Sequence, residues 1–182
     1  GAQKDEELVA TTESAIHALK SVSHELLRVK VLEIQKHFAQ SFGRMARKDD
    51  MHMRIVIDPE NFSTKLVSKD GFEIDKNRLS AGEKQIYALA ILESLGRASG
   101  RKLPFIIDTP LGRLDSKHRA KIVNEFFPKV NEQVIILSTD TEVDEAFFAD
   151  LEPSISHSYE IQYEPKNGSS IVSEGYFWRA TA

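Results

Sequence analysis

Two short apolar runs limit most tightly what this 182-residue chain can fold into. Leu103-Pro-Phe-Ile-Ile-Asp108 and Val134-Ile-Ile-Leu-Ser138 are strand-length and rich in β-branched residues. Between them a helical pattern runs from about Ser116 to Phe127. Pro128 is expected to close that helix, because proline lacks the amide a helix needs. Strand, helix, strand at this spacing predicts a βαβ unit with a parallel pair, and hence an α/β fold. The first strand is expected to be buried and to end on a carboxylate, Asp108.

The residues before this unit divide into a helix and a meander. Residues 5–48 contain no proline and only one glycine, Gly43. Ala15, Leu19, Val22, Leu26 and Val29 alternate steps of four and three, the spacing of a coiled-coil seam. An amphipathic helix in a bundle fits this stretch too. After Val29 the phase shifts to Val31, Ile34, Phe38, Phe42 and Met45, as if the helix exchanges a coil partner for a globular core. The expected organisation is a long helix over 1–48 leading into a globular part over 49–182. Met51, Met53, Ile55 and Ile57 alternate with His52, Arg54, Val56 and Asp58 until Pro59. Phe62, Thr64 and Leu66 alternate again, Asp70-Gly71 marks a tight turn, and Phe72-Glu73-Ile74 returns. This reads as an antiparallel β meander. A helix follows from Ala81 to Ala98, with Gly100 as its stop. Near the end, Thr141 and Asp144 suggest a cap for a short helix to Asp150, and residues 155–172 read as a hairpin around Asn167-Gly168.

Composition excludes several classes. Hydrophobic residues at 41% support a core, and charged residues at 29% suit a soluble chain. The net charge of −4 argues against a strongly basic nucleic-acid binder, so any DNA contact needs a local patch or a partner subunit. Without cysteine there is no disulfide and no thiolate metal site, which is compatible with a reduced cytoplasm. No apolar run approaches the ~18 residues of a membrane span. The chain opens Gly-Ala-Gln without methionine and reads as a piece of a longer protein. The six histidines lack metal-ligand spacing, and no nucleophile–base pair is legible.

The stretch Arg78-Leu-Ser-Ala-Gly-Glu83 carries two signals at once. Ser80 and Glu83, three apart before an apolar helical run, form a capping box. Leu79-Ser80-Ala81-Gly82-Glu83 is also close to the Leu-Ser-Gly-Gly-Gln signature of ABC-class ATPases. A helix N-terminus offers free amides and a positive dipole end, and glycine lets a phosphate approach the backbone. Downstream, Phe105-Ile-Ile-Asp108 has the form of a Walker B strand, whose terminal aspartate holds Mg²⁺ beside the nucleotide phosphates. Alone, such an aspartate can equally cap a loop. It is followed by Gly112-Arg-Leu-Asp115, which resembles the D-loop of the same ATPases. The order and spacing of the three motifs are specific.

Residues 79–140 therefore resemble the C-terminal lobe of an ABC/SMC-type P-loop ATPase head. The preceding helix and meander are similar to the SMC and SbcC coiled-coil ATPases. Arg47-Lys-Asp-Asp50, Ile57-Asp-Pro59, Asp108-Thr-Pro-Leu-Gly-Arg-Leu-Asp115, Ser138-Thr-Asp-Thr141 and Gly175-Tyr-Phe177 together resemble the DndD family, the SMC-like ATPases of bacterial DNA phosphorothioation. That resemblance covers about residues 45–178. It implies ATP and Mg²⁺ as cofactors, with Asp108 on the metal. Ser80 and Gly82, within Leu79, Ala81 and Glu83, would meet the γ-phosphate of ATP held by a second head. Asp115 would line that homodimer interface. It implies as further partners the protein's own N-terminal lobe, DNA and the other phosphorothioation proteins, including the sulfur-transfer enzyme, in the cytoplasm and without a membrane. The sulfur chemistry itself would belong elsewhere, since this chain has no cysteine.

Two positions depart from the general ABC pattern. Thr109 stands where a glutamate commonly polarises the attacking water, and Thr139 where a histidine is common. Threonine orients water but is a very poor base at neutral pH. The catalytic set read from sequence is Asp108, Thr109, Thr139 and Asp140, with Glu142 a further candidate carboxylate by position. No Gly-x-x-x-x-Gly-Lys-Ser/Thr phosphate loop is present, and Gly96 to Lys102 has the wrong spacing for one. This chain alone is therefore expected to be inactive as an ATPase and to expose the apolar edge that the missing lobe covers. The alternatives are an SbcC-like repair ATPase head paired with a nuclease, and a non-hydrolysing nucleotide-gated scaffold. Arg44, Arg47 and Lys48, and Lys117, Arg119 and Lys121, form basic clusters that suit either DNA phosphates or a solvated helix face. Ser80→Ala should lower stability by about 1 kcal/mol if the cap forms, and should weaken ATP-driven dimerisation. A change in the melting curve alone would reduce this stretch to a plain helix cap.

Overall fold

A 44-residue helix, α1 (Ala2–Met45), opens the chain. The computed structural model describes residues 2–46, 53–112, 114–130 and 133–176. The two parts of α1 meet different surroundings. Leu19, Val22, Leu26 and Val29 face solvent, Leu19 at 69% exposure. Val31, Phe38, Phe42 and Met45 are buried. Phe38 stacks on Phe42 with ring centroids 5.5 Å apart and meets Tyr87 edge-on at the same distance. The second apolar phase is thus a core face, and the first is a stripe left open.

By their internal contacts the residues form two compact units, Gly1–Ser80 with Ile86–Arg101, and Ala81–Gln85 with Lys102–Ala182. In the first, β1 (Arg54–Ile57), β2 (Thr64–Val67) and β3 (Glu73–Ile74) form the antiparallel meander, with Ile55 opposite Leu66 and Leu66 opposite Ile74. Met51 and His52 of the expected first strand lie outside the described residues. Phe62 does not join the second strand. Its backbone takes a positive φ of 57° inside a loop that Asp58 organises, with Phe62 N bonded to Asp58 O and Glu60 N to Asp58 Oδ1. A residue in that conformation cannot continue a pleat. Gly71, at φ +88°, makes the tight turn before β3. The side chain of Gln35 ties α1 to the meander by accepting the Ile57 amide at 2.8 Å.

Helix α2 (Ala81–Ser99) stops at Gly100, whose φ of +65° is the left-handed conformation of a helix C-terminus. Within the first unit its residues Ile86, Leu89 and Ala90 are buried, and so is Glu93. Glu93 accepts from Ser41 Oγ, from Arg44 Nη2 at 2.5 Å and from Arg97 Nε at 2.9 Å. One buried carboxylate on α2 thus gathers two side chains of α1 and one of its own helix.

In the second unit, β4 (Phe105–Asp108) pairs in parallel with β5 (Val134–Leu137), Phe105 opposite Val134 and Asp108 opposite Leu137. β4 is not buried on both faces. Phe105 and Ile107 are buried, whereas Ile106 is 62% exposed and its outer-face neighbours Ile135 and Leu137 are 40% and 45% exposed. A parallel pair is ordinarily covered on both faces; here the described residues cover one. Pro128 does not close the following helix either. Helix α3 (Ser116–Lys121) widens into a π turn (Ile122–Phe126), where Phe127 N bonds Ile122 O, and the chain continues as α4 (Phe127–Val130). The wider turn just ahead, and a place in the first turn of α4, remove the ring clash and the missing bond that proline brings. Asp144 caps α5 (Glu145–Leu151), its side chain accepting from Phe147 N at 2.9 Å. Strands β6 (Tyr159–Glu164) and β7 (Ser169–Glu174) make the hairpin, turned at Gly168 with φ +61° and set further along the chain than 155–172.

Candidate functional site

The carboxyl ends of β4 and β5 lie side by side. Thr109 N donates to Leu137 O at 2.8 Å, so Asp108-Thr109 runs beside Ser138-Thr139. The carboxyl ends of parallel strands are where open α/β sheets hold ligands, because the loops diverge there. Asp108, Thr109, Thr139 and Asp140 are all exposed. Thr109 adopts φ 45°. For a β-branched residue that left-handed backbone costs roughly 1–2 kcal/mol, and such strain gathers where function needs it. Thr139 Oγ1 lies 3.1 Å from Thr141 Oγ1.

Among the described residues no three His, Asp or Glu side chains converge as a metal cage. A single exposed strand-end carboxylate, Asp108, suits Mg²⁺, which keeps several waters and takes its remaining ligands from phosphate oxygens. The residues present therefore fit the group that the sequence motifs imply.

Past Pro110, the loop after β4 turns inward. Leu111 is fully buried, and Leu114 N bonds its carbonyl at 3.2 Å. Asp115 caps α3, accepting from His118 N at 3.0 Å, and its other oxygen lies 3.2 Å from His118 Nδ1. The buried His118 thus forms a pair with Asp115 that the sequence reading missed. Its signal was an N-cap aspartate followed three residues later by histidine. Glu142 is buried as well, and its Oε1 accepts the Leu111 amide. It is turned away from solvent, unlike Asp140. Arg119 does not lie on a free basic face: its Nε donates to Leu114 O at 3.1 Å, and its guanidinium sits over the Phe147 ring at 5.7 Å. Arg44 is likewise engaged, on Glu93. Arg47, Lys48, Arg113, Phe177 and Trp178 lie outside the described residues.

Tyr176 holds the loop after β5. Its hydroxyl lies 3.1 Å from Ser138 Oγ, 3.2 Å from Val143 O and 3.4 Å from Thr139 O, and its ring stacks on Phe148 at 4.6 Å. Burial pushes the phenol above the usual tyrosine range, opposed by the Ser138 bond and helped by the Glu142, Asp140 and Asp144 charges. A raised phenol keeps its proton longer in the folded state than in the unfolded one. Stability is therefore intact below the ordinary tyrosine pKa of about 10 and falls as pH rises from there through the raised value. Melting curves through that alkaline range should show the fall, and Tyr176→Phe should flatten it. An identical slope in the variant would rule out Tyr176 as its source.

The signature residues begin α2. Leu79 is buried, Ser80 and Ala81 are exposed, and Gly82 and Glu83 are half-buried. Ser80 occupies the N-cap position directly before Ala81.

Comparison with solved structures identifies the fold. A chain from work on ATP-driven dimerization and DNA-stimulated activation of SMC ATPases is similar at 15% identity and a TM-score of 0.59, over 84% of this chain and 89% of that one. The Smc head domain of Pyrococcus furiosus, with an extended coiled coil and bound to the C-terminal domain of ScpA, is similar at 18% identity and a TM-score of 0.64. It is matched over 94% of this chain and 42% of its own length. The Smc head domain of Pyrococcus yayanosii, with a coiled coil and joint, is similar at the same identity and score, over 94% of this chain and 33% of its own length. This chain therefore has the fold of an SMC head domain, and it spans less than half of the two Pyrococcus chains. No family model and no curated protein sequence matches it.

Proposed function

We propose that this chain is the C-terminal lobe of an SMC-like ATPase head that serves DNA phosphorothioation. One observation carries the ATPase reading: on an SMC-head fold, Asp108-Thr109 and Ser138-Thr139 stand at adjacent carboxyl ends of a parallel pair, downstream of a signature-like helix start. The division of labour follows from the residue types. Asp108 would hold Mg²⁺, which when bound neutralises charge on the β- and γ-phosphates. Thr109 and Thr139 would orient the attacking water without being able to deprotonate it. Asp140, the exposed carboxylate beside them, is the candidate base. Ser80 and Gly82 would receive the γ-phosphate of ATP held by a second head, and Asp115 would lie along that interface.

The faces left open support an incomplete head. The outer face of β4 and β5 suits the N-terminal lobe that would bring the phosphate loop, and the stripe from Leu19 to Val29 suits the returning strand of a coiled coil. The DndD assignment rests on the sequence segments that resemble that family, Thr109 and Thr139 among them. No helix among the described residues is long and apolar enough to cross a membrane. Phosphate release and ATP-driven dimerisation by the full-length protein, compared with an Asp108→Ala variant, test the reading. The phosphorothioation role is tested by whether the same variant abolishes sulfur incorporation or its use in cells.

A further inference from the structure

One buried side chain joins the loop after β4 to the loop after β5. Glu142 is 4% exposed, and its Oε1 accepts the amide of Leu111, 31 residues earlier in the chain. A Cβ placed on Gly112 would meet Glu142 Cδ at 4.0 Å, so the carboxyl group lies against the loop backbone. The main chain of Glu142 is fixed at the same place. Its amide donates to Thr139 O at 3.1 Å, and Arg119 reaches both Glu142 O at 3.4 Å and Leu114 O at 3.1 Å. The second carboxyl oxygen, Oε2, is buried with no hydrogen-bond partner among the described residues.

That arrangement is expensive for stability alone. A carboxyl group buried with an unmade bond costs more than an apolar side chain of the same size would. Its visible service is to a backbone amide that lies in a loop and has no ladder or helix to satisfy it. We propose that Glu142 is a positioning residue that fixes residues 109–112 to the loop bearing Thr139 and Asp140, and so sets the geometry in which Asp108 works. This inference rests on the ATPase reading of the site. Glu142 acts through its acceptor oxygen and not as a base, since that oxygen faces the Leu111 amide and not solvent.

Two substitutions in the full-length protein separate this role from simple packing. Glu142→Met keeps the side chain's bulk and removes the acceptor; Glu142→Gln keeps an acceptor oxygen. Under Glu142→Met, hydrogen exchange at the Leu111 amide should quicken at least about tenfold, as expected for a lost buried bond, while the melting temperature should fall only modestly, by the cost of one orphaned amide. Turnover should drop about tenfold or more through misplacement, in kcat rather than in KM for ATP. Glu142→Gln should restore most of the protection and the turnover. The inference is overturned if Glu142→Met leaves the Leu111 amide protected. It is equally overturned if Glu142→Gln protects that amide yet loses turnover as fully as Glu142→Met, because the carboxylate itself would then be needed. If the wild-type protein has no Asp108-dependent turnover, the ATPase reading falls, and the exchange measurement still decides whether Glu142 holds the loop.

Discussion

Glu93→Ala should remove about 3–5 kcal/mol of stability, the usual cost of breaking a buried ion pair from one side. Glu93 is completely buried, and three donors from two helices converge on it: Ser41, Arg44 and Arg97. Removing the carboxylate leaves Arg44, whose side chain is only 29% exposed and whose Nε has no partner among the described residues, with an uncompensated charge. It also opens a space between α1 and α2. The reverse truncations should be milder. Arg97, 39% exposed, can turn to water, so Arg97→Ala should cost about 1 kcal/mol or less. Equilibrium unfolding in urea measures both. Equal losses for Glu93→Ala and Arg97→Ala would mean that the cluster does not hold the two helices together.

Asp108→Ala should lower ATP turnover by about 10²–10³-fold, the scale seen when one preorganised electrostatic contact to a transition state is lost. The substitution should cost little stability, because Asp108 is exposed at the end of its strand. ATP-driven dimerisation should survive, since the signature that would close on the partner's nucleotide is a separate part of the chain. These outcomes sort the readings. Turnover that is absent in wild type and variant alike, with dimerisation retained, favours the non-hydrolysing scaffold. Turnover in both at the same rate would place catalysis elsewhere and remove Asp108 from the site. With threonine at 109 and 139, the wild-type rate itself should be low, because neither side chain can take a proton from water at neutral pH.

Periodicity and turn chemistry carried much of the fold. The phase shift at Val29 marked where α1 becomes buried, because a helix presents one face per 3.6 residues and a core must meet an apolar one. Gly71, Gly100 and Gly168 each adopt the positive φ that their turn or helix end requires. Asp144 was legible as a cap because its side chain bonds only three residues ahead. The order of signature-like, strand-end and loop aspartate motifs was legible for the same reason: each is a short contiguous string.

Other features were decided only by tertiary structure. Phe105-Ile-Ile read as a buried strand, yet Ile106 is open, as is Leu137 on the second apolar strand, since burial depends on what lies across the sheet and not on the strand's own letters. Pro128 read as a stop, yet a π turn precedes it and the helix runs on, with Ile122, Val123 and Phe126 of that turn buried. Glu93 did not stand out among 28 acidic residues, and Glu142 read only as a candidate catalytic carboxylate by position. Each is buried because its partner lies far along the chain, Ser41 for one and Leu111 for the other. The sequence by itself determined the local elements and the residues offered for chemistry, through bonds that span only a few residues. The tertiary structure alone decided which of those carboxylates meet solvent and which hold the scaffold, because that depends on desolvation by distant parts of the chain.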